Sequence, residues 1–510
     1  MRSSAKVGST LALAGLVWAG SEAGAQATIG GDWRADLEAF ARRIVEARLT
    51  PGMAVAVSVG DWVAYAGGFG AADARTARAA TGDTPFYIAS TTKSLTALAV
   101  TLAAHEGKVD ISAPMVRYLP SAQLPEDVDR ESITVRDLLA LTHGMNGNGP
   151  VVFRTAYTGE FTRAQLLELL RHHAATGRKG TFEYNNLGYN LLGLVLEAVY
   201  DEPWKRVVQR LVLDPIGMPN TSAMLSTVGR DAVALPHGFA ADGFEPMALG
   251  KDDANLHAAG GHFASARDLA RYLAVHASGG MLEGRRVLPR EPVESTQELR
   301  VAQDRRFGPY HRFGWGYGWD LATFEGDTIL QRFGGFSGYR SHASFMPRHR
   351  IGVVVLVNGE GSASAASDLM ATYIYDRILG KPQVEQRFGS RLDSLGQRAT
   401  AARRGIVAEL ERRRARLAPL RHTLESFAGV YESPLLGRMA WRVVAAGLEM
   451  HMGIMSSRAE VYDASKDQLR IEAAGSGQVA TFEFPSTGAG GPALAVRVAG
   501  ERFARVPASP

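Results

Sequence analysis

The chain has 510 residues, 46% of them hydrophobic, and a formal net charge of +4 at pH 7. It can therefore bury a large core in about two or three domains, and it lacks the surface-wide basic field that marks nucleic-acid binding. The absence of cysteine excludes disulfides, thiolate metal sites, a cysteine nucleophile and a lipid-bearing N-terminal cysteine.

In chain order, the first segment reads as a leader. Arg2 and Lys6 form a charged start, residues 7–19 an apolar run too short to span a bilayer, and Ala23-Gly24-Ala25 a small-residue cleavage site. Cleavage after Ala25 is expected, with the mature protein periplasmic or secreted and holding no stable membrane anchor. Leu37, Phe40, Ala41, Ile44 and Val45 then make the stripe of an opening helix, which Pro51-Gly52 ends. Val55, Val57 and Val59 alternate up to a Gly60-Asp61 turn, and Val63 and Tyr65 alternate back, which predicts a hairpin.

Ser90-Thr91-Thr92-Lys93 follows, opening a predicted helix over residues 91–105 with Leu95, Leu98, Ala99 and Leu102 on one face. A serine and a lysine one turn apart share a face, and a helix N-terminus favours negative charge on the serine as it loses its proton. The chain has eight lysines against a large excess of arginine. Arginine is never deprotonated at useful pH, whereas a desolvated lysine can act as a base, so a lysine at this position points to nucleophilic catalysis. A second Ser-x-x-Lys, Ser3 to Lys6, lies in the leader.

Residues 112–251 read mostly as helix and loop, including residues 166–170 and 191–199. Strand patterns return at residues 329–333, 341–346 and 351–357, the last an unbroken apolar run suited to a sheet centre, and residues 364–379 read as a closing helix. Strands from both ends of the chain are expected to share one sheet, with the middle as a helical insertion. Residues 391–421 are arginine-rich, with Ile406, Leu410, Leu417 and Leu420 at helical spacing, which reads as a solvated connector helix or as a site for anionic surfaces. From about residue 422, short alternating stretches suggest a small β domain. The expected organisation is a leader over 1–25, a main domain over 26–382, a connector over 383–421 and the β domain over 422–510.

Taken together, several motifs resemble the serine hydrolases related to class C β-lactamases and penicillin-binding DD-peptidases. They are Ser90-Thr91-Thr92-Lys93, Ile133 to Leu139 ahead of Thr142-His143-Gly144, Phe182 to Tyr189, Gly260 to Leu269, and Arg332-Phe333-Gly334-Gly335 at the place of a Lys-Thr-Gly or His-x-Gly motif. The resemblance covers roughly residues 35–380, and the tail is similar to a β-barrel-like domain often appended to such hydrolases. It implies an α/β (α+β) fold, an antiparallel sheet flanked by helices with a helical insertion.

By the same resemblance Ser90 attacks a carbonyl carbon to form an acyl-enzyme, Lys93 and Tyr184 share the proton work, and Asn186 orients the substrate. The backbone N–H groups of Ser90 and Gly335 hold the oxyanion, and Arg332, Gly334 and Gly335 belong to the substrate-binding edge. Arg332 keeps positive charge but cannot shuttle a proton, and Phe333 removes a hydroxyl that helps bind the carboxylate of β-lactams and D-alanyl peptides. Arg332 or Arg340 is a candidate for that carboxylate instead. Carboxylesterase, D-amino-acid peptidase and β-lactamase activities all stay open, on a small ester, amide or peptide. A penicillin-binding sensor that acylates with little turnover is the alternative. No cofactor is implied. His172-His173 and His257 with His262 lack a third ligand at metal spacing, and the stretch from Phe313 to Trp319 is either a cleft lining or aromatic packing.

Overall fold

The computed structural model describes residues 32–507 apart from 148, 241–242, 417–419, 446, 473–476 and 487–490. The predicted leader, with its Ser3–Lys6 pair, lies outside the described residues. The fold is mixed α/β, a large antiparallel sheet between helical layers followed by a second, barrel-like sheet.

The first sheet has nine strands. Gly52–Val59 and Ile351–Val357 lie side by side near its centre, antiparallel, with Met53 opposite Val357 and Val59 opposite Ile351. Strands from the two ends of the chain thus share one sheet, as expected. Their alternation explains the layers. Ala54, Ala56, Val354 and Leu356 enter the core on one face, and Met53, Val55, Val57, Val353 and Val355 the core on the other. A strand buried on both sides has no polar face, which is why residues 351–357 read as a continuous apolar run. Helices Trp33–Glu46 and Ala363–Ile378 cover one face, and Ala266–Ala277 lies on the other.

Three strands went unread in the sequence. Val301–Phe307, Tyr310–Trp315 and Asp320–Phe324 extend the sheet beyond Asp327–Phe336 to its edge. Their ladders slip between Ala302 and Arg305 and between Arg312 and Gly314, and such bulges break the two-residue period on which strand recognition depends. The helix after Ser90, Thr92–His105, lies where the sequence places it, with Leu95, Leu98, Ala99 and Leu102 all buried. Burial extends to its other sides as well, because twelve of its fourteen residues are buried, from Thr92 through Ala103. It runs through the core between Leu187–Tyr200 and Arg290–Ser295, and its buried hydroxyls are satisfied by carbonyls, as Ser94 is by Thr91 and Thr96 by Ala258.

The connector also differs from expectation. Helix Val384–Arg414 buries Phe388, Leu392, Leu395 and Ala399 against the main core, while Ile406 is 38% exposed. Leu417 lies outside the described residues. The first half of the helix is amphipathic, with exposed residues around that buried stripe, and in its second half Arg412 and Arg413 pair with Glu409, Glu460 and Glu472.

The second sheet also has nine strands, around a core that includes Phe427, Tyr431, Trp441, Met450, Phe482 and Phe503. Its two edge strands, Met455–Arg458 and Glu460–Asp463, are consecutive in the chain, so the sheet must curl until its ends meet. This unit docks on the helical insertion. The Arg154 guanidinium donates to the Leu435 and Pro434 carbonyls at 2.8 and 3.3 Å, and the Ile454 N–H donates to Thr158 O at 3.1 Å.

Candidate active site

Ser90 sits in a 3-10 turn, Ala89–Thr91, that feeds directly into Thr92–His105. Ala89 has a φ of +43°, a left-handed conformation that costs a non-glycine residue about 1–3 kcal/mol. The turn is held from two sides. The Ser341 hydroxyl bonds to the Ile88 carbonyl and the Thr91 hydroxyl, each at 2.8 Å, and Thr92 Oγ1 accepts from the His262 N–H at 3.0 Å. Gly334 makes the first clamp possible. A Cβ there would lie 1.9 Å from the Ile88 carbonyl oxygen, so only glycine lets this strand approach the turn so closely.

Lys93 is wholly buried, with Nζ 3.2 Å from Ser90 Oγ, 2.6 Å from Asn186 Oδ1 and 2.8 Å from the Ala259 carbonyl. Burial pushes its ammonium pKa down and Arg332 pushes the same way, while the nearby Tyr184 opposes them. An amine whose charged form is disfavoured by desolvation is suited to accept a proton. Asn186 enters the site as an acceptor that aims Lys93, a contact not foreseen in the sequence.

Tyr184 is carried by the turn before Leu187–Tyr200. That turn is pinned by Glu183 N–H to Leu141 O at 2.9 Å, by Gly180 N–H to Thr142 O at 2.8 Å and by His143 Nε2 to Asn185 Oδ1 at 3.1 Å. The Thr142-His143-Gly144 motif therefore positions Tyr184. Although Tyr184 is 37% exposed as a residue, its hydroxyl faces inward to Ser90, Lys93 and Arg332. Desolvation pushes the phenol up, but the Arg332 and Lys93 cations and hydrogen bonds from Ser90 and Lys93 outweigh it, bringing the pKa from 10.0 to about 8.

Arg332 lies in strand Asp327–Phe336, with Nη2 3.4 Å from the Tyr184 hydroxyl and its guanidinium 5.1 Å from the Tyr184 ring centre. Asp320 holds it from behind, at 3.1 Å, with both side chains almost fully buried. Trp315 backs the group: its ring meets Tyr184 edge to face at 6.0 Å, and its Nε1 donates to Leu139 O at 3.0 Å. Trp315, Tyr317 and Trp319 are all buried, so that stretch packs behind the site and does not line it. Its Gly318 does touch the machinery, because a Cβ there would fall 2.7 Å from Ser94 Cα.

Ser90, Tyr184, Arg332, Phe333, Gly334 and Gly335 border one cavity of about 340 Å³. The sequence names all six and marks the stretch that holds Trp315, but Asp320 and the Ala259 carbonyl carry no local pattern. Three of the four histidines considered for metal serve packing or hydrogen bonding: His173 Nδ1 meets Asn146 O at 2.7 Å, His257 Nδ1 meets Asn190 Oδ1 at 2.9 Å, and His262 packs on Trp204, while His172 is exposed. A Ser344–His342–Asp368 chain, with contacts of 2.8 and 3.0 Å, has the order of a catalytic triad, but Ser344 is wholly buried and no substrate can reach it.

A nucleophile in a tight turn, a desolvated lysine and a cation-stabilised tyrosine are the parts of a serine acyl-transfer site. The chain is 28% identical over 176 residues to Protein flp of Staphylococcus aureus (strain COL), a match covering 34% of each chain. It thus spans about a third of the curated relatives it matches first. The fold is similar to the octameric penicillin-binding protein homologue from Pyrococcus abyssi, with a TM-score of 0.58, 22% identity and coverage of 92% of this chain and 99% of that one. It is likewise similar to D-amino acid amidase from Ochrobactrum anthropi SV3, with a TM-score of 0.57, 21% identity and coverage of 69% and 98%. The family model described as Beta-lactamase matches residues 37–375, most of the sheet, the helical insertion and every site residue named above, and the chain belongs to that family of serine hydrolases.

Proposed function

We propose that this protein is a secreted serine hydrolase that cleaves a small ester or amide through a Ser90 acyl-enzyme. The observation that carries the reading is the placement of Lys93 Nζ, buried and shared between Ser90 Oγ at 3.2 Å and Asn186 Oδ1 at 2.6 Å, beneath a tyrosine whose pKa is lowered to about 8. Lys93 and Tyr184 take the Ser90 proton as Oγ attacks the carbonyl carbon. The same pair returns a proton to the leaving group and then activates the water that frees the acyl group. The exposed backbone of Gly335, across the cavity from Ser90, is the second oxyanion donor in this reading. Secretion rests on the leader-like sequence of residues 1–25.

Phe333 weighs against D-alanyl peptides and β-lactams, since it packs on Phe307, Tyr310 and His342 where a hydroxyl is needed to hold their carboxylate. Purified protein should turn over a short-chain nitrophenyl ester or an amino-acid amide faster than a chromogenic cephalosporin or a D-alanyl dipeptide. Ser90→Ala should abolish turnover of all of them. Hydrolysis surviving in Ser90→Ala removes the mechanism, and a lasting serine adduct without turnover identifies a sensor instead.

A further inference from the structure

The cavity beside Ser90 is walled on its far side by the edge strands that the sequence did not reveal. Four arginines line it: Arg305, Arg312, Arg332 and Arg340. Arg305 and Arg312 stand directly opposite each other across the strand pair, a juxtaposition that costs stability because like charges repel at that spacing. The Arg312 side chain is only 8% exposed, lies against the Phe307 and Phe333 rings at 4.2 and 5.4 Å, and its buried Nε has no hydrogen-bond partner among the described residues. Arg305 is exposed, and its side chain has neither a hydrogen bond nor an ion pair among the described residues. Among the described residues Asp320 is the carboxylate paired with this cluster, 3.5 Å from Arg312 and 3.1 Å from Arg332, and one of its oxygens is already taken by Gln303 at 3.0 Å. Asp368 on the opposite wall faces His342 at 3.0 Å, and Arg340 donates to the Phe336 and Tyr339 carbonyls of its own hairpin.

Four guanidinium groups against two carboxylates, Asp320 and Asp368, leave uncompensated positive charge in a partly enclosed space, where it attracts an anion strongly. We propose that this wall is a subsite for a carboxylate carried by the substrate at a distance from its scissile carbonyl, with Arg312 and Arg305 as the specificity-determining residues. Arg312, gripped between two aromatic rings, presents a fixed planar fork that suits a carboxylate, and Arg305 at the rim draws it in. Arg332 stays with Tyr184 and Asp320. The inference rests on the hydrolase reading for its substrate but not for its binding site.

The test pairs neutral with anionic esters on each side of the scissile bond: nitrophenyl butyrate with the nitrophenyl monoester of glutarate, and phenyl acetate with 3-carboxyphenyl acetate. In at least one pair kcat/KM should favour the anionic ester by roughly tenfold, as expected for one charge-assisted contact. That ratio should fall toward one in Arg305→Gln and Arg312→Gln, with the change in KM, and should shrink in high salt. Arg305 is at the rim, so its variant reports even where Arg312→Gln fails to fold. Calorimetric titration with glutarate reads the same subsite without turnover and should weaken about tenfold in either variant. Equal rates within both pairs, or a preference and glutarate binding that survive both substitutions, overturn the subsite. Loss of ester turnover in the wild type with glutarate binding intact overturns only the hydrolase reading.

Discussion

At the residue scale the site works by opposing burial with charge. In the proposed mechanism Tyr184 can serve as a base because Arg332 and Lys93 hold its phenolate, against desolvation, at a pKa of about 8. The active form is the deprotonated one, so kcat/KM should rise with pH through about 8 and level off above it. In Arg332→Met the first of the two cations is gone, and the rising limb should move up toward the ordinary phenol value. A limb that stays in place in a pH–rate profile takes Tyr184 out of the proton path. Lys93→Arg keeps the charge that stabilises Tyr184 but removes the group that can give up its proton. It should lower kcat by about 10²–10⁴-fold, measured at pH 8 with a nitrophenyl ester, and wild-type rates would assign lysine a purely electrostatic part.

At the scale of elements, the site exists where the turn before Thr92–His105, the turn before Leu187–Tyr200 and strand Asp327–Phe336 converge. Gly334 sets how closely two of them approach, since its backbone meets Ile88 without room for a methyl group. Gly334→Ala should push the strand away from the nucleophile turn, costing about 1–3 kcal/mol of stability and roughly a hundredfold in kcat. Chemical denaturation and steady-state kinetics check the two parts separately. An alanine variant that keeps full activity would show that the Ile88–Ser341 clamp does not set the geometry of Ser90.

At the scale of the whole molecule, the barrel-like sheet is joined to the rest by more than the chain. Arg154 is almost buried and gives its guanidinium to carbonyls of residues 434, 435 and 160, while Gly453 lies where a Cβ would come 2.1 Å from the Thr158 carbonyl. Arg154→Met leaves those carbonyls unpaired and should weaken the docking by about 2 kcal/mol. Calorimetry should then show the barrel melting ahead of the main domain, with faster proteolysis beyond the helix Val384–Arg414. A single unchanged transition would mean that Arg413 with Glu460 and Glu472, and the Ile454–Thr158 bond, suffice to hold the two parts together.

What the sequence determined by itself is local. Ser90 and Lys93 share a face because they are three residues apart in a helix, and Tyr184 and Asn186 are named by a short motif. The alternation around Val55 and the apolar run of residues 351–357 report burial that each strand experiences along its own length. Tertiary structure alone decided the rest. Asp320 comes to Arg332 across a neighbouring strand pair, and Trp315 to Tyr184 and the Ala259 carbonyl to Lys93 across long stretches of chain, where no spacing rule links the residues. The strands bearing Arg305 and Arg312 were hidden by bulges that disturb their period and by charges on a face that looks solvent-bound. Only the folded sheet shows that this face turns toward the nucleophile.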